Sequence, residues 1–189
     1  MEMQGSRHLP AGRQQAWACL NDPEVLKACI PGCEKMEASG ENEYAVGLAL
    51  KVGPVAARFT GRVSVTEQAP PESYVLLFEG QGGVAGFGKG RAHVVLVEAV
   101  EAGGCELRYT AQAQVGGKIA QVGQRLIDGV ARSMAEEFFK RFDGELQRRY
   151  AAPAEPAVAP GPDAVPVAEP AAQSAKPGLV SRLWRGSGA

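Results

Sequence analysis

Three groups of residues in this chain have the types and spacings that carry chemistry. The stretch from Gly80 to Gly90 holds Gly83-x4-Gly88-Lys89 and Gly80-x-Gly82-x-x-Ala85, near matches to a phosphate-binding loop and a dinucleotide fingerprint. Both motifs depend on a following helix, whose N-terminal amides hold the phosphate. Here Gly90 stands where Ser or Thr would hold Mg²⁺, and Arg91 to Glu98 reads as a strand. The stretch is better read as a mobile, glycine-rich loop at a cavity mouth, with Phe87 as a lid. The cysteines are Cys19, Cys29, Cys33 and Cys105. Cys29 and Cys33 are close in sequence, but no second pair or nearby His completes a tetrahedral metal site. They read as small buried hydrophobes in a reducing compartment. For acid/base work the strand-borne candidates are His93, Glu79, Glu98 and Tyr109. No spacing joins them into a pair.

The elements that must position these residues follow from periodicity. Ile119, Val122, Leu126, Val130, Met134, Phe138, Phe142 and Leu146 recur almost entirely at i+4, which predicts a helix from Lys118 to Tyr150. Ile127, Ala131, Ala135 and Phe139 widen its apolar stripe, so a broad curved surface must cover it. Before it, residues 1–9 read as a strand. Pro10 opens a short helix that Asn21 closes, and Asp22 caps a second over about 23–29. From Glu34 to Gln114 strands alternate with turns. Tyr44, Val46, Leu48, Leu50 and Val52 share one face, as do Ala57, Phe59, Gly61, Val63 and Val65. Ala92 to Val100 reads as the next strand. The last strand turns Cys105, Leu107, Tyr109, Ala111 and Ala113 inward, a series tapering from large to small. Gly47, Ala49, Ala57 and Gly61 thin the same layer. A cavity beneath the start of the long helix is the expected result.

The bulk numbers exclude several functions. Of 189 residues, 45% are hydrophobic and 22% charged, with a net charge of −1, as in an ordinary soluble globule. No nucleic-acid partner is expected without a concentrated basic surface. No apolar run approaches the roughly 18–20 residues needed to span a bilayer, and the N-terminus has no secretory pattern. The expected site is the cytoplasm. Composition changes abruptly after Tyr150. Residues 1–150 read as the folded domain, and 151–178 as a disordered Ala/Pro-rich linker. Residues 179–189 read as a short amphipathic basic tail. In that tail Leu179, Val180, Leu183 and Trp184 supply one apolar face, while Arg182 and Arg185 supply charge. It is expected to dock on a membrane surface or on a partner protein.

Roughly residues 1–148 resemble the CoxG family, the G-subunit family of carbon monoxide dehydrogenase, within the START-like (SRPBCC) superfamily. The matching residues are Leu26-x-x-Cys29-Ile30-Pro31-Gly32-Cys33, Val52-Gly53-Pro54-Val55, Phe59-x-Gly61 and Tyr109. The strongest match is Val115-Gly116-Gly117-Lys118-Ile119-Ala120-Gln121-Val122-Gly123-x-Arg125-Leu126-Ile127. The resemblance implies an α+β helix-grip fold, with a curved antiparallel sheet around a long C-terminal helix and two short helices after strand 1. It also implies a hydrophobic cavity and an accessory role. A molybdenum hydroxylase of the CO dehydrogenase type would be recruited to the inner face of the cytoplasmic membrane. A lipophilic acceptor, a quinone, would be carried. No covalent or metal cofactor is implied.

The reading is a non-enzymatic carrier whose candidate ligand contacts are Leu48, Phe59, Phe78, Phe87, Tyr109, Ala111, Ile119, Val122, Gly123 and Leu126. Tyr109 would offer a hydrogen bond to a quinone carbonyl. The alternatives are a small enzyme of the same superfamily, a cyclase or hydrolase, and an assembly factor with no ligand. A sizeable apolar cavity favours the carrier, and a filled core the assembly factor. Because core-forming residues end before Pro153, truncation after Tyr150 should leave the melting temperature nearly unchanged. A drop of many degrees in a thermal scan would show that the tail packs on the domain.

Overall fold

The computed structural model describes residues 1–99 and 104–150. The strands are β1 (Glu2–Leu9), β2 (Cys33–Gly40), β3 (Glu43–Val52), β4 (Val55–Ala69), β5 (Ser73–Gln81), β6 (Phe87–Glu98) and β7 (Cys105–Gly116). The helices are α1 (Arg13–Leu20), α2 (Pro23–Cys29) and α3 (Gln124–Tyr150), with 3-10 turns at Gly83–Ala85 and Lys118–Val122. All strands join one curved antiparallel sheet in the order β1-β7-β6-β5-β4-β3-β2. From β2 to β7 the chain is a meander. β1 pairs with the last strand, so α1 and α2 must carry the chain across to the far edge.

Local chemistry sets the helix ends. The Asp22 carboxylate accepts from the N–H groups of Glu24 (2.9 Å) and Val25 (3.4 Å), with Pro23 in the first turn, as the sequence predicts. α1 begins at Arg13 rather than at Pro10. Gly12 caps it, and the Gly12 N–H donates to the Gln15 side chain at 3.1 Å. The long helix is also shorter than its periodicity predicts. Lys118–Val122 is a 3-10 turn, and Gly123, at φ +96°, breaks the chain before Gln124. An i+4 apolar row cannot register this break, because it depends on one backbone angle that glycine adopts freely. β6 starts at Phe87, not Ala92, so most of the supposed loop is strand. Gly88 and Gly90 extend it because both lie between paired neighbours.

The core has two parts. In the larger, Phe142 and Leu146 of α3 have no exposed surface and meet Cys19, Val25 and Cys29 of the short helices and Leu9, Leu96, Cys105 and Leu107 of the sheet. Phe138 stacks on Phe142 at 5.5 Å and meets Phe139 edge-on at 5.2 Å. The smaller cluster holds Val52, Phe59, Ala85, Ile119 and Ile127. Among the described residues no helix is long and apolar enough to cross a membrane.

The two halves of α3 should respond differently to truncation of a side chain. Phe142→Ala should cost about 3–5 kcal/mol. Met134→Ala, on a half-buried residue bordering open space, should cost about 1 kcal/mol or less. Urea unfolding midpoints at constant slope measure both.

Candidate functional site

The inward rows of the sheet lose their side chains toward one end. Across the ladder, Tyr74, Val94 and Tyr109 form one row. The next holds Val65, Leu76, Ala92 and Ala111, and the next Val63, Phe78, Gly90 and Ala113. The fourth runs Val46, Gly61, Gly80, Gly88, Val115. Its three central strands thus contribute no side chain at all. At Gly61 a Cβ would overlap the carbonyl oxygen of Glu79, whereas a Cβ at Gly88 would meet nothing within 4 Å.

Above this glycine row lies a cavity of about 330 Å³ with almost wholly apolar walls. Val46, Leu48 and Leu50 of β3 and Phe59 and Val63 of β4 form one side; Ala113 and Val115 of β7 form the other. Ile119 borders it, and Ile127, Val130, Ala131 and Met134 of α3 cover it. Arg62, Glu79, Lys89 and Gln114 also touch it, but strand alternation points their side chains to the outer face. A depression of about 820 Å³ on that outer face is lined in part by Arg62, Lys89, Arg91 and Gln112. It is polar and shallow, as a solvated sheet surface is.

Among the described residues no acid or base side chain points into the cavity. His93 pairs with Val75 and Thr110 on the outer face. Burial pushes the Cys29 and Cys105 thiols up to about 11 and raises Cys19 and Cys33 as well, so none is an activated nucleophile. Burial also raises the Asp143 carboxyl, against the opposing charges of Arg7 and His8. Asp143 lies beside Phe142, in the filled half of the molecule. Among the described residues no group of three His, Cys, Asp or Glu could hold a metal ion.

Of the residues singled out in the sequence, Leu48, Phe59, Phe78, Phe87 and Ile119 come together around the cavity. Phe87 touches it from the outer sheet face, the face of Lys89 two residues on, and is 45% exposed with its ring where a Gly116 side chain would be. The other five do not line it. Tyr109 is two rows into the filled half, its ring 5.6 Å from that of Phe139. Ala111 lies in the row between. Val122 packs behind the smaller cluster, Gly123 forms the chain break, and Leu126, 41% exposed, turns outward beside Gly53. The break at Gly123 rotates these last residues off the helical face that periodicity gave them. Gly47 and Ala49, expected to thin the inner layer, pair with Thr60 and Arg58 and belong to the outer face. Gly80 and Gly88 take that role instead. Leu179, Val180, Arg182, Leu183, Trp184 and Arg185 lie outside the described residues. Sequence reasoning did not propose Val130, Ala131 or Met134 as lining. Their signal was present as the continuation of the helical stripe over the small inward residues.

Solved structures share this architecture. A conserved protein from Geobacillus kaustophilus is 34% identical, with 78% of this chain and 96% of that chain covered and a TM-score of 0.74. A START superfamily protein from Mycobacterium smegmatis is 11% identical over 79% of this chain and 99% of its own, with a TM-score of 0.62. The Zhui aromatase/cyclase from a Streptomyces species is 15% identical over 79% and 95%, with a TM-score of 0.59. At such identities the last two establish the START-like fold alone. The comparison with curated proteins gives no match. The family profile for CoxG, the G subunit of carbon monoxide dehydrogenase, matches residues 5–147, and with the helix-grip fold and its apolar cavity in place, the chain belongs to the CoxG family.

Proposed function

We propose that this protein is a non-enzymatic carrier of a lipophilic molecule, with a quinone as the ligand. It would serve a molybdenum hydroxylase of the CO dehydrogenase type at the membrane. The observation that supports this reading is the cavity over the glycine row, apolar on every inward side and without a titratable side chain aimed into it. Such a space replaces lipid around an insoluble ring and chain. It is unsuited to proton transfer, which needs a positioned acid or base in contact with the substrate. The family's description as a subunit of carbon monoxide dehydrogenase supports the pairing with such an enzyme. The cyclase that shares the fold leaves a catalytic reading in view, and the lack of inward-facing acids and bases weighs against it. The tail of residues 179–189 is read as the tether, making weak and reversible contact with lipid or with the enzyme.

Gly88→Leu provides the test. The new side chain would project from the floor into open space, with no backbone neighbour to clash. The parent should retain a soluble quinone analogue such as decylubiquinone, and Gly88→Leu should bind it about tenfold or more weakly. Thr110→Leu, exposed on the outer face beside His93, is the control and should bind as the parent does. Parent-like binding by a folded Gly88→Leu would remove the cavity as the site. No binding by the parent would remove the quinone.

A further inference from the structure

The sheet's turns divide the molecule into two ends of opposite electrostatic character. At one end lie the β2–β3 and β4–β5 connections, the end of β6 and the start of β7, with α1, α2 and the last turn of α3. There charges of both signs are paired, with Arg13 to Glu72 (3.3 Å) and Glu98 (3.5 Å), and Arg149 to Asp22 (2.8 Å). At the other end lie the β3–β4 and β5–β6 turns and the passage from β7 into α3. The stretches 44–66, 80–97 and 107–127 contain no acidic residue, and their middles converge here. Gly86 abuts Gly116 and Gly117, and Gly53 abuts Leu126. Lys51, Lys118 and Arg125 are exposed at this end and form no ion pair among the described residues. The acids toward this end are engaged or lie on the outer sheet face, as Glu2 does opposite Gln112. Glu34 pairs with Arg58 at 3.1 Å, the Asp128 carboxylate accepts from the Gln124 amide at 2.7 Å, and Glu79 lies on the outer sheet face.

The same end carries misplaced apolar surface. Val84 is 84% exposed at the tip of the β5–β6 turn, and Phe87 and Leu126 at the same end are 45% and 41% exposed. These are half of the large hydrophobic residues exposed among those described. Exposed apolar side chains at the same end as cations without an ion pair fit an anionic lipid bilayer, where apolar tips enter the headgroup layer and cations meet phosphates. They fit an acidic protein surface less well, since Val84 projects from its turn with nothing packed around it.

We propose that this end of the molecule is a docking face for an anionic bilayer, set at the cavity rim so that ligand passes without crossing water. The passage of ligand rests on the carrier reading; the docking itself does not. Lys118 and Ile119 are adjacent in one 3-10 turn, so the turn that carries a cation of this face also borders the cavity.

The test uses the full-length chain carrying Leu183→Glu and Trp184→Glu, so that the tail contributes nothing. Sedimentation with vesicles of phosphatidylcholine and phosphatidylglycerol at 7:3 should pull down this protein. Adding Val84→Glu should weaken partitioning about fivefold or more, and Lys118→Glu with Arg125→Glu on the order of tenfold or more. Val84→Trp should strengthen it. Val84 makes few contacts in the fold, so its variants should keep the parent's melting temperature. Decylubiquinone binding in vesicle-free buffer should be unchanged by Val84→Glu, which separates failure of docking from failure of the carrier reading. The proposal is overturned if Val84→Glu sediments as fully as the tail-disabled parent, or if neither sediments.

Discussion

Phe142 and Leu146 have no exposed surface, and through them α3 is clamped at its C-terminal end only. Around that clamp the short helices, the leucine-bearing rows of the sheet and the stacked Phe138 all meet. Burying a side chain of this size stabilises by roughly 1.5–3 kcal/mol, and several are gathered within two turns of helix. The N-terminal half of α3 has no such anchor. Only Ile127 there is buried; Val130, Ala131 and Met134 stand above the open part of the sheet. A rigid rod fixed at one end can be held off the sheet at the other, and this geometry keeps the cavity open.

The sheet contributes the complementary condition. A row of Gly61, Gly80 and Gly88 removes side chains from three adjacent strands without removing any backbone donor, so the ladder stays complete while the floor drops. Proline could not do this, because it would delete the N–H. Each glycine inside a strand costs roughly 0.5–1 kcal/mol relative to alanine. The filled half must therefore carry the stability of the whole. Gly90 adds a second constraint, since its missing side chain leaves room for the Phe78 ring, which would lie 2.6 Å from a Cβ there. The Phe78 ring thereby occupies the boundary between the filled and open halves.

Much of this was legible in the sequence because it is periodic. Alternation gave the inward faces of β3, β4 and β7, and the Asp22-Pro23 pair gave the start of α2. The tapering inward series on β7 indicates open space from sequence alone. The glycine row was not legible, because it exists only across strands. Gly61, Gly80 and Gly88 are ordinary in their own segments and become neighbours through register. The same limit misplaced Tyr109. Its inward direction was right, but how far along the taper the cavity ends depends on where α3 lies. Gly123 set the remaining error. A left-handed residue at the helix start turns Leu126 out to the surface, against its place in the i+4 row.

The clamped end and the open end also differ in what motion they permit. Local opening draws on the elements with the least buried surface. Here the Gly83–Ala85 turn, the Lys118–Val122 turn and the first turns of α3 each bury a single side chain, Ala85, Ile119 and Ile127, with the two turns joined by glycine-to-glycine contact at Gly86 and Gly117. Moving them apart breaks little of the core around Phe142, because none of its fully buried side chains belongs to them. A ligand leaving toward the clamped end would instead have to displace Phe78, then Tyr109 against Phe139. Lowest resistance therefore lies at the end that carries Val84, Phe87 and the unpaired cations. The fold thus places the turns anchored in the smaller cluster and the exposed Val84 at the same end of the molecule.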